Sequence, residues 1–319
     1  MPSDAATIQI TLPDGTTQAF PSGTTAHDVA LSIGEKLAEA AIGAKVNGAL
    51  VDVHRILLSE GQRPLEELDG WVTESQSEAV LSPSNNLEGI ALEIVTMPRL
   101  NKQGRSKWRD EQHEKDALYL LRHSCAHIMA EAIQNLYPEA RLAYGPPLEH
   151  GFYYDIALDT PISSDDFSKI EDEMRRLLKH DREFIRYDLD VEAGLRRLKH
   201  EGNKYKIDNA ERAIDRCAKS ISFYMTGDDD ESLLDAGQPW FEDLCQGPHV
   251  DRTSRIGAFK VTSIASSHWH GDVNSDRFQR VYGTAFFTQA DLDAHLEQLE
   301  QAKQRDHRVV GQKLGLFAI

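Results

Sequence analysis

The sequence is poor in the features that would place it outside a reducing interior. Only three of its 319 residues are cysteine (Cys125, Cys217, Cys245), an odd and small number for a disulfide framework. No apolar run approaches the roughly 20 residues needed to cross a bilayer. The opening MPSDAATIQI has neither the basic nor the long apolar region of a signal peptide. A cytoplasmic protein without a membrane partner is expected. Cations are scarce too: 35 Lys and Arg face 52 Asp and Glu, a net charge of −17, which excludes indiscriminate polyanion binding. There is no G-x-x-x-x-G-K-[ST] loop, no G-x-G-x-x-G, no H-E-x-x-H and no G-x-S-x-G. Nucleotide-loop, dinucleotide, zincin and serine-hydrolase readings therefore have no support. The acidic run at 228–231 lacks the spacing of an EF-hand loop, and Trp240 beside Phe241 reads as packing rather than a base-stacking platform.

What is present is an ordinary globular mixture, 40% hydrophobic and 27% charged, long enough for two or three compact units. Residues 8–12 alternate as a strand, 13–15 offer turn chemistry, and 17–20 return as a hairpin partner. Thr25 with Asp28 opens a helix whose stripe is Val29, Ala30 and Ile33, and Gly34 offers a stop. Asn47-Gly48 between AKV at 44–46 and ALV at 49–51 is a strong hairpin signal. With a further strand at 90–96, the first hundred residues read as a small β-grasp-like sheet crossed by one helix.

Residues 99–109 carry Arg99, Lys102, Arg105, Lys107 and Arg109 without an acid: a solvated linker, or a local nucleic-acid contact. Beyond it, Leu118, Leu121, Cys125, Ile128, Met129 and Ala132 recur at helical spacing over 116–137. A strand is expected at 152–156, helices at 164–179 and 191–200, strand-like runs at 205–207, 258–264 and 280–284, and a long charged helix at 289–308. The larger unit is α+β. The resulting divisions are 1–98, a basic linker at 99–115, a main unit at 116–288 and a linker helix at 289–319.

Two short patterns carry chemistry. His123-x-x-x-His127 sets two imidazoles on one helix face, and Cys245-x-x-x-His249 adds a thiol and a third imidazole, all zinc-compatible donors. Among 13 histidines, chance alone yields about half an H-x-x-x-H pair per chain. Spacing by itself leaves a buried histidine pair with an inert cysteine as plausible as a functional site.

Longer agreement breaks the tie. RHSCAH at 122–127, GFYYD at 151–155, DLCQGPH at 243–249 and QRVYGTAF at 279–286 resemble the N-terminal editing domain of threonyl-tRNA synthetases in order and spacing. ITLPDG at 10–15 through VNG at 46–48 resembles the TGS domain that opens that family. RDHR at 305–308 with LGLF at 314–317 is similar to its helix leading to the synthetic core. The class II signature arginines and glycine-rich third motif of that core are absent, so the resemblance implies the editing portion of a synthetase or a free-standing editing protein, without ligase activity of its own.

The resemblance implies hydrolysis of serine wrongly esterified to threonine tRNA. One methyl separates the two amino acids, worth only about 1–3 kcal/mol of discrimination, so a second site that admits only the smaller one is needed. Carried over by position, the catalytic set is His123, His127, Lys206, Asp243, Cys245 and His249, with Gly145 and Tyr154 binding substrate. Lys206 is expected to hold the terminal ribose or the developing oxyanion, and His123 to position or deprotonate water. Asp243 would orient a base or hold the substrate ammonium, and Cys245 would line the pocket. No cofactor is expected to be required. Zinc is the possible exception, on His123, His127, Cys245 and His249, as in alanyl-type editing proteins. The partner implied is the acceptor end of threonine tRNA, with a class II core or separate synthetase supplying it. Gln246, where the family commonly has arginine, and His270, within WHGD at 269–272, depart from the family pattern at positions that bear on tRNA affinity. The alternatives are a tRNA-binding module without catalysis and a zinc-dependent alanyl-type deacylase.

Overall fold

A computed structural model describes residues 7–57, 89–227 and 241–305. The expectations for Trp240, the acidic run at 228–231 and the segment after 305 lie outside the described residues.

The N-terminal unit follows its local signals closely. β1 (Thr7–Thr11) and β2 (Thr17–Pro21) form an antiparallel hairpin, and β1 lies parallel to β5 (Ile90–Thr96). β3 (Ala41–Val46) turns through Asn47 and Gly48, both at positive φ, into β4 (Ala49–Val51). The sheet order is β2-β1-β5-β3-β4. Thr25 caps α1 (Ala26–Ile33) in a reciprocal box with Asp28, and Gly34 ends it, because the side-chain oxygen satisfies an amide that the first turn leaves free. Gly34 does not release the chain into a strand: a second short helix, α2 (Glu35–Ala40), follows at once. Val29 and Ala30 are buried as expected, but Ile33 is 48% exposed.

The stretch expected as a linker is ordered. β6 (Arg99–Leu100) pairs with β7 (Ser106–Lys107) in a tight hairpin. Asp110 then caps α3 (Glu111–Leu136), so the helix begins within the 99–115 segment. Two of the five cations are opposed by acids, Arg105 by Asp291 and Arg109 by Glu93 and Asp110.

α3 organises the larger unit. All six residues of its expected stripe are buried, and so is nearly every residue of its second half. The buried positions run all round the helix and include Arg122, His123, His127 and Glu131, so it lies inside the unit with its polar side chains enclosed. Its Leu120, Leu121 and Ile128 share a core with Ile42 and Val95 of the N-terminal sheet and with Phe152, Tyr154 and Val281; each fully buried aliphatic side chain contributes about 1.5–3 kcal/mol. Against α3 lies an antiparallel sheet of order β14-β15-β10-β8: β8 (Arg141–Tyr144), β10 (Gly151–Ala157), β14 (Ala258–His268) and β15 (Arg277–Phe286). The short β9 (Pro147–Leu148) pairs with β10. A second antiparallel sheet joins β11 (Glu183–Asp190), β12 (Ser220–Gly227) and β13 (Phe241–Leu244). Among the described residues the remaining α-helices are α4 (Phe167–Leu177), α5 (Val191–Glu201), α6 (Lys204–Asp215) and α7 (Gln289–Gln304). The whole is α+β, as the sequence implies.

One expectation is overturned here. Residues 205–207 are not strand-like but open α6, capped by Asn203, whose side chain accepts the Tyr205 amide. Two β-prone residues flanking Lys206 suggest a strand, yet the Asn203 cap and the helix formers Ala210, Glu211, Arg212 and Ala213 favour a helix.

Candidate active site

Three elements deliver the chemistry to one place. α3 carries His123 and His127 on one face, with ring centroids 5.4 Å apart. β13 carries Asp243 and the chain leaving it brings Cys245 and His249; His249 stacks 4.1 Å from His123 and lies 4.3 Å from His127. α6 supplies Lys206 from its first turn. The expected catalytic residues therefore converge, and their burial is deep: His249 is 0% exposed, and His127, Lys206 and Asp243 are each 2%. His123 at 7% and half-buried Cys245 face outward most.

Hydrogen bonds fix the tautomers. His123 Nδ1 lies 3.0 Å from the Pro248 carbonyl, which can only accept, so Nδ1 carries the proton. Its Nε2 lone pair then points at Cys245 Sγ, 3.3 Å away. Ser124 Oγ donates to the Leu120 carbonyl and lies 3.1 Å from His249 Nδ1. The hydroxyl proton being used, His249 Nδ1 donates, which turns its own Nε2 lone pair toward Sγ at 3.4 Å. Two bare imidazole nitrogens thus converge on one sulfur. His127 Nδ1, also buried, has no hydrogen-bond partner.

The charged component is an ion pair. Lys206 Nζ sits 3.0 Å from Asp243 Oδ1 and 2.7 Å from Glu201, while the Tyr154 hydroxyl donates to Asp243 Oδ2 and His127 Nε2 lies 3.8 Å from the same oxygen. Burial works against the lysine's charge, but the two carboxylates outweigh it and hold its pKa above the usual value. Burial likewise opposes ionisation of Asp243, and Lys206, then His127, hold its carboxyl below the ordinary range. The pair is charged on both sides. The imidazoles are not: burial, helped by His127, pushes His123 down to about 3, burial pushes His127 down to about 4, and His249 lies well below its usual value for the same reason. Burial and then Asp243 drive the Cys245 thiol up, so it stays protonated rather than serving as a ready thiolate.

Both expected substrate-binding residues sit at the wall. Gly145 is there because nothing larger fits: a Cβ would collide with the Tyr154 ring. Tyr154, 1% exposed, meets the site through its hydroxyl on Asp243. Sequence reading missed Ser124, Glu201 and the Pro248 carbonyl. Ser124 stands inside the RHSCAH motif, but its role depends on two rings that arrive from other elements. The two departures from the family pattern resolve structurally. The Gln246 carbonyl accepts from Arg186, which brings a guanidinium to that loop, and His270 lies 2.6 Å from Asp208.

His123, His127, Cys245 and His249 form a group able to hold a metal ion, their donor atoms all within 4.8 Å of one another. The residues fit such an ion: three nitrogens and a sulfur are a soft tetrahedral set, and the lone pairs left free by the Pro248 and Ser124 hydrogen bonds are those a metal would take. Among the described residues no helix is long and apolar enough to cross a membrane.

Residues 8–62 match the TGS domain family, and residues 221–282 match the threonyl and alanyl tRNA synthetase second additional domain. The threonine–tRNA ligase of Citrifermentans bemidjiense is 37% identical over 98% of this chain and 40% of its own length. That of Anoxybacillus flavithermus is 36% identical over 98% and 40%, and that of Rhodopirellula baltica 37% over 99% and 36%. The chain spans about 40% of the length of the first two relatives. The chain carries a TGS domain and a threonyl and alanyl tRNA synthetase second additional domain, and over nearly its whole length it is similar to part of the threonine–tRNA ligases.

Proposed function

We propose that this chain hydrolyses the ester of serine mischarged on threonine tRNA, with the editing unit at 116–288 following a TGS-like unit at 1–98 and a basic linker at 99–115, and a linker helix at 289–319. The observation that carries the reading is the buried Lys206–Asp243 ion pair set against neutral imidazoles, two of which turn their Nε2 lone pairs to one thiol. That arrangement offers a fixed charge and more imidazole acceptors than a single thiol proton can satisfy, which a purely structural core does not need.

In this reading water attacks the ester carbonyl carbon, the bond to the ribose oxygen breaks, and the ribose oxygen takes a proton. With His123 pushed down to about 3, its imidazole holds the attacking water through a lone pair rather than removing a proton beforehand. Two of the three Lys206 donors face carboxylates; the third is left for the oxyanion, where a preformed charge counts most. Asp243, held ionised, fixes Lys206 and offers an acceptor to the substrate ammonium. Cys245 stays a thiol and lines the wall. A zinc ion on His123, His127, Cys245 and His249 would supply Lewis acidity when bound; the side-chain reading does not require it. The tRNA acceptor end and a class II core or separate synthetase are the partners proposed.

Purified chain incubated with seryl- and threonyl-tRNA tests the reading. Release of serine with threonyl-tRNA spared is the expected outcome. RNA binding with neither ester cleaved would leave only the binding-module alternative.

A further inference from the structure

The cluster is built on the larger unit, yet one of its supports comes from the N-terminal sheet. Asp52 follows β4 directly, 197 residues before His249, and accepts the His249 backbone N–H at 2.9 Å through Oδ1. Its Oδ2 accepts the Tyr224 hydroxyl at 2.6 Å. Tyr224 is 0% exposed and its ring lies 4.4 Å from the His249 imidazole. The phenol fills the space beneath the turn from Cys245 to His249: a Cβ on Gly247 would collide with the Tyr224 oxygen, and Gly247 has φ +76°. Arg186 closes the arrangement, donating to the Gln246 carbonyl and standing 5.9 Å from the Tyr224 ring.

One carboxylate thus ties down two donors, one on the second sheet and one on its exit loop. His249 holds its side chain through Ser124 of α3 and its backbone through Asp52. Loss of the second anchor frees the loop to shift relative to α3, and with it the distance from Cys245 to His123. We infer that Asp52 is a positioning residue for the hydrolytic site, so that the site is complete only with the N-terminal sheet docked. This rests on the ester-hydrolase reading above.

The test uses the full 319-residue chain and compares Asp52→Ala, Asp52→Asn and Tyr224→Phe. Single-turnover hydrolysis of seryl-tRNA is measured across enzyme concentration, together with hydrogen exchange of a peptide covering 245–250. Asp52→Ala is expected to lower the maximal rate about tenfold, the scale of a lost hydrogen bond to a charged group, with the half-saturating concentration within about twofold. Exchange at 245–250 rises about tenfold while α7 is unchanged. Asp52→Asn restores most of the rate, because the amide oxygen still accepts the His249 N–H and the phenol can accept from the amide nitrogen. Tyr224→Phe removes one bond without emptying the site and costs about threefold; combined with Asp52→Ala it adds nothing further. A rate within about twofold of native for Asp52→Ala, a loss confined to half-saturation, or equal losses in the alanine and asparagine variants would overturn the inference. A native chain that cleaves no seryl-tRNA defeats the hydrolase reading; the exchange comparison then decides alone whether Asp52 holds the loop, and unchanged exchange overturns it.

Discussion

The two ends of the chain bury different things. Among the described residues up to Thr96, the interior is apolar apart from Thr24, whereas the larger unit buries Arg122, His123, His127, Glu131, Asp155, Glu171, Lys206, Asp243 and His249. Most of these buried carboxylates are closed off by cations: Glu131 by a two-pronged Arg182 at 2.7 and 2.8 Å, Asp155 by Arg280 at 2.8 and 2.7 Å, and Glu171 by Lys260 and Arg175. Lys206–Asp243 is different, because it lies beside three imidazoles and a thiol, with His127 Nε2 3.8 Å from Asp243. Buried charge alone does not mark a site; buried charge beside a cluster of neutral, titratable side chains does.

Breaking the open pair has the largest expected effect. Lys206→Ala strands a buried carboxylate and costs about 3–5 kcal/mol of stability, and it lowers seryl-tRNA hydrolysis by about 10²-fold or more. Arg182→Ala strands Glu131 at a similar cost in chemical denaturation while hydrolysis per folded molecule stays near native. Equal activity losses in the two variants would erase the distinction between closed and open pairs.

The imidazole side of the comparison comes next. His123→Ala is expected to slow hydrolysis by about 10²-fold, and Cys245→Ser to lose less, because a hydroxyl still lines the wall. Chelators then do little. Full chelator sensitivity reversed by added zinc, with Cys245→Ser as damaging as His123→Ala, would make the metal the agent instead.

A smaller effect concerns the basic hairpin. Arg99, Lys102 and Lys107 are exposed and have no acidic partner among the described residues. Replacing all three with glutamine should weaken tRNA binding and flatten the dependence of log affinity on log salt, by about 0.7–0.9 for each phosphate the chain no longer neutralises. An unchanged slope returns the hairpin to a solvated surface element.

The smallest lies in the apolar unit. Thr25→Ala should cost about 1 kcal/mol in thermal or denaturant unfolding. Asp28 is held below the usual carboxylate range, chiefly by the Thr25 backbone N–H. A depressed native pKa adds stability that is present above the unfolded value of about 3.9 and lost as pH falls through the native one. The stability difference between the native chain and Asp28→Asn should therefore shrink below about pH 4. A difference that grows in acid would contradict that linkage.

The N-terminal unit was legible because its signals are local: a cap three residues from its acid, an Asn-Gly turn pair between two short strands, alternation over five residues. The larger unit was legible where one helix carried the pattern, as along Leu118 to Ala132. It was opaque at Tyr205 to Ile207, where three residues look like a strand until Asn203 caps them, and at β11 and β12, whose pairing depends on partners far along the chain. Residue type and spacing were enough to single out His123, His127, Cys245 and His249, and the family resemblance added Lys206 and Asp243. Their charge and proton placement come from folding. Burial strips the imidazoles of charge, the Pro248 carbonyl and Ser124 choose their tautomers, and Asp52 reaches across from another sheet. Each depends on solvent exclusion and on contacts that do not exist until the chain has closed.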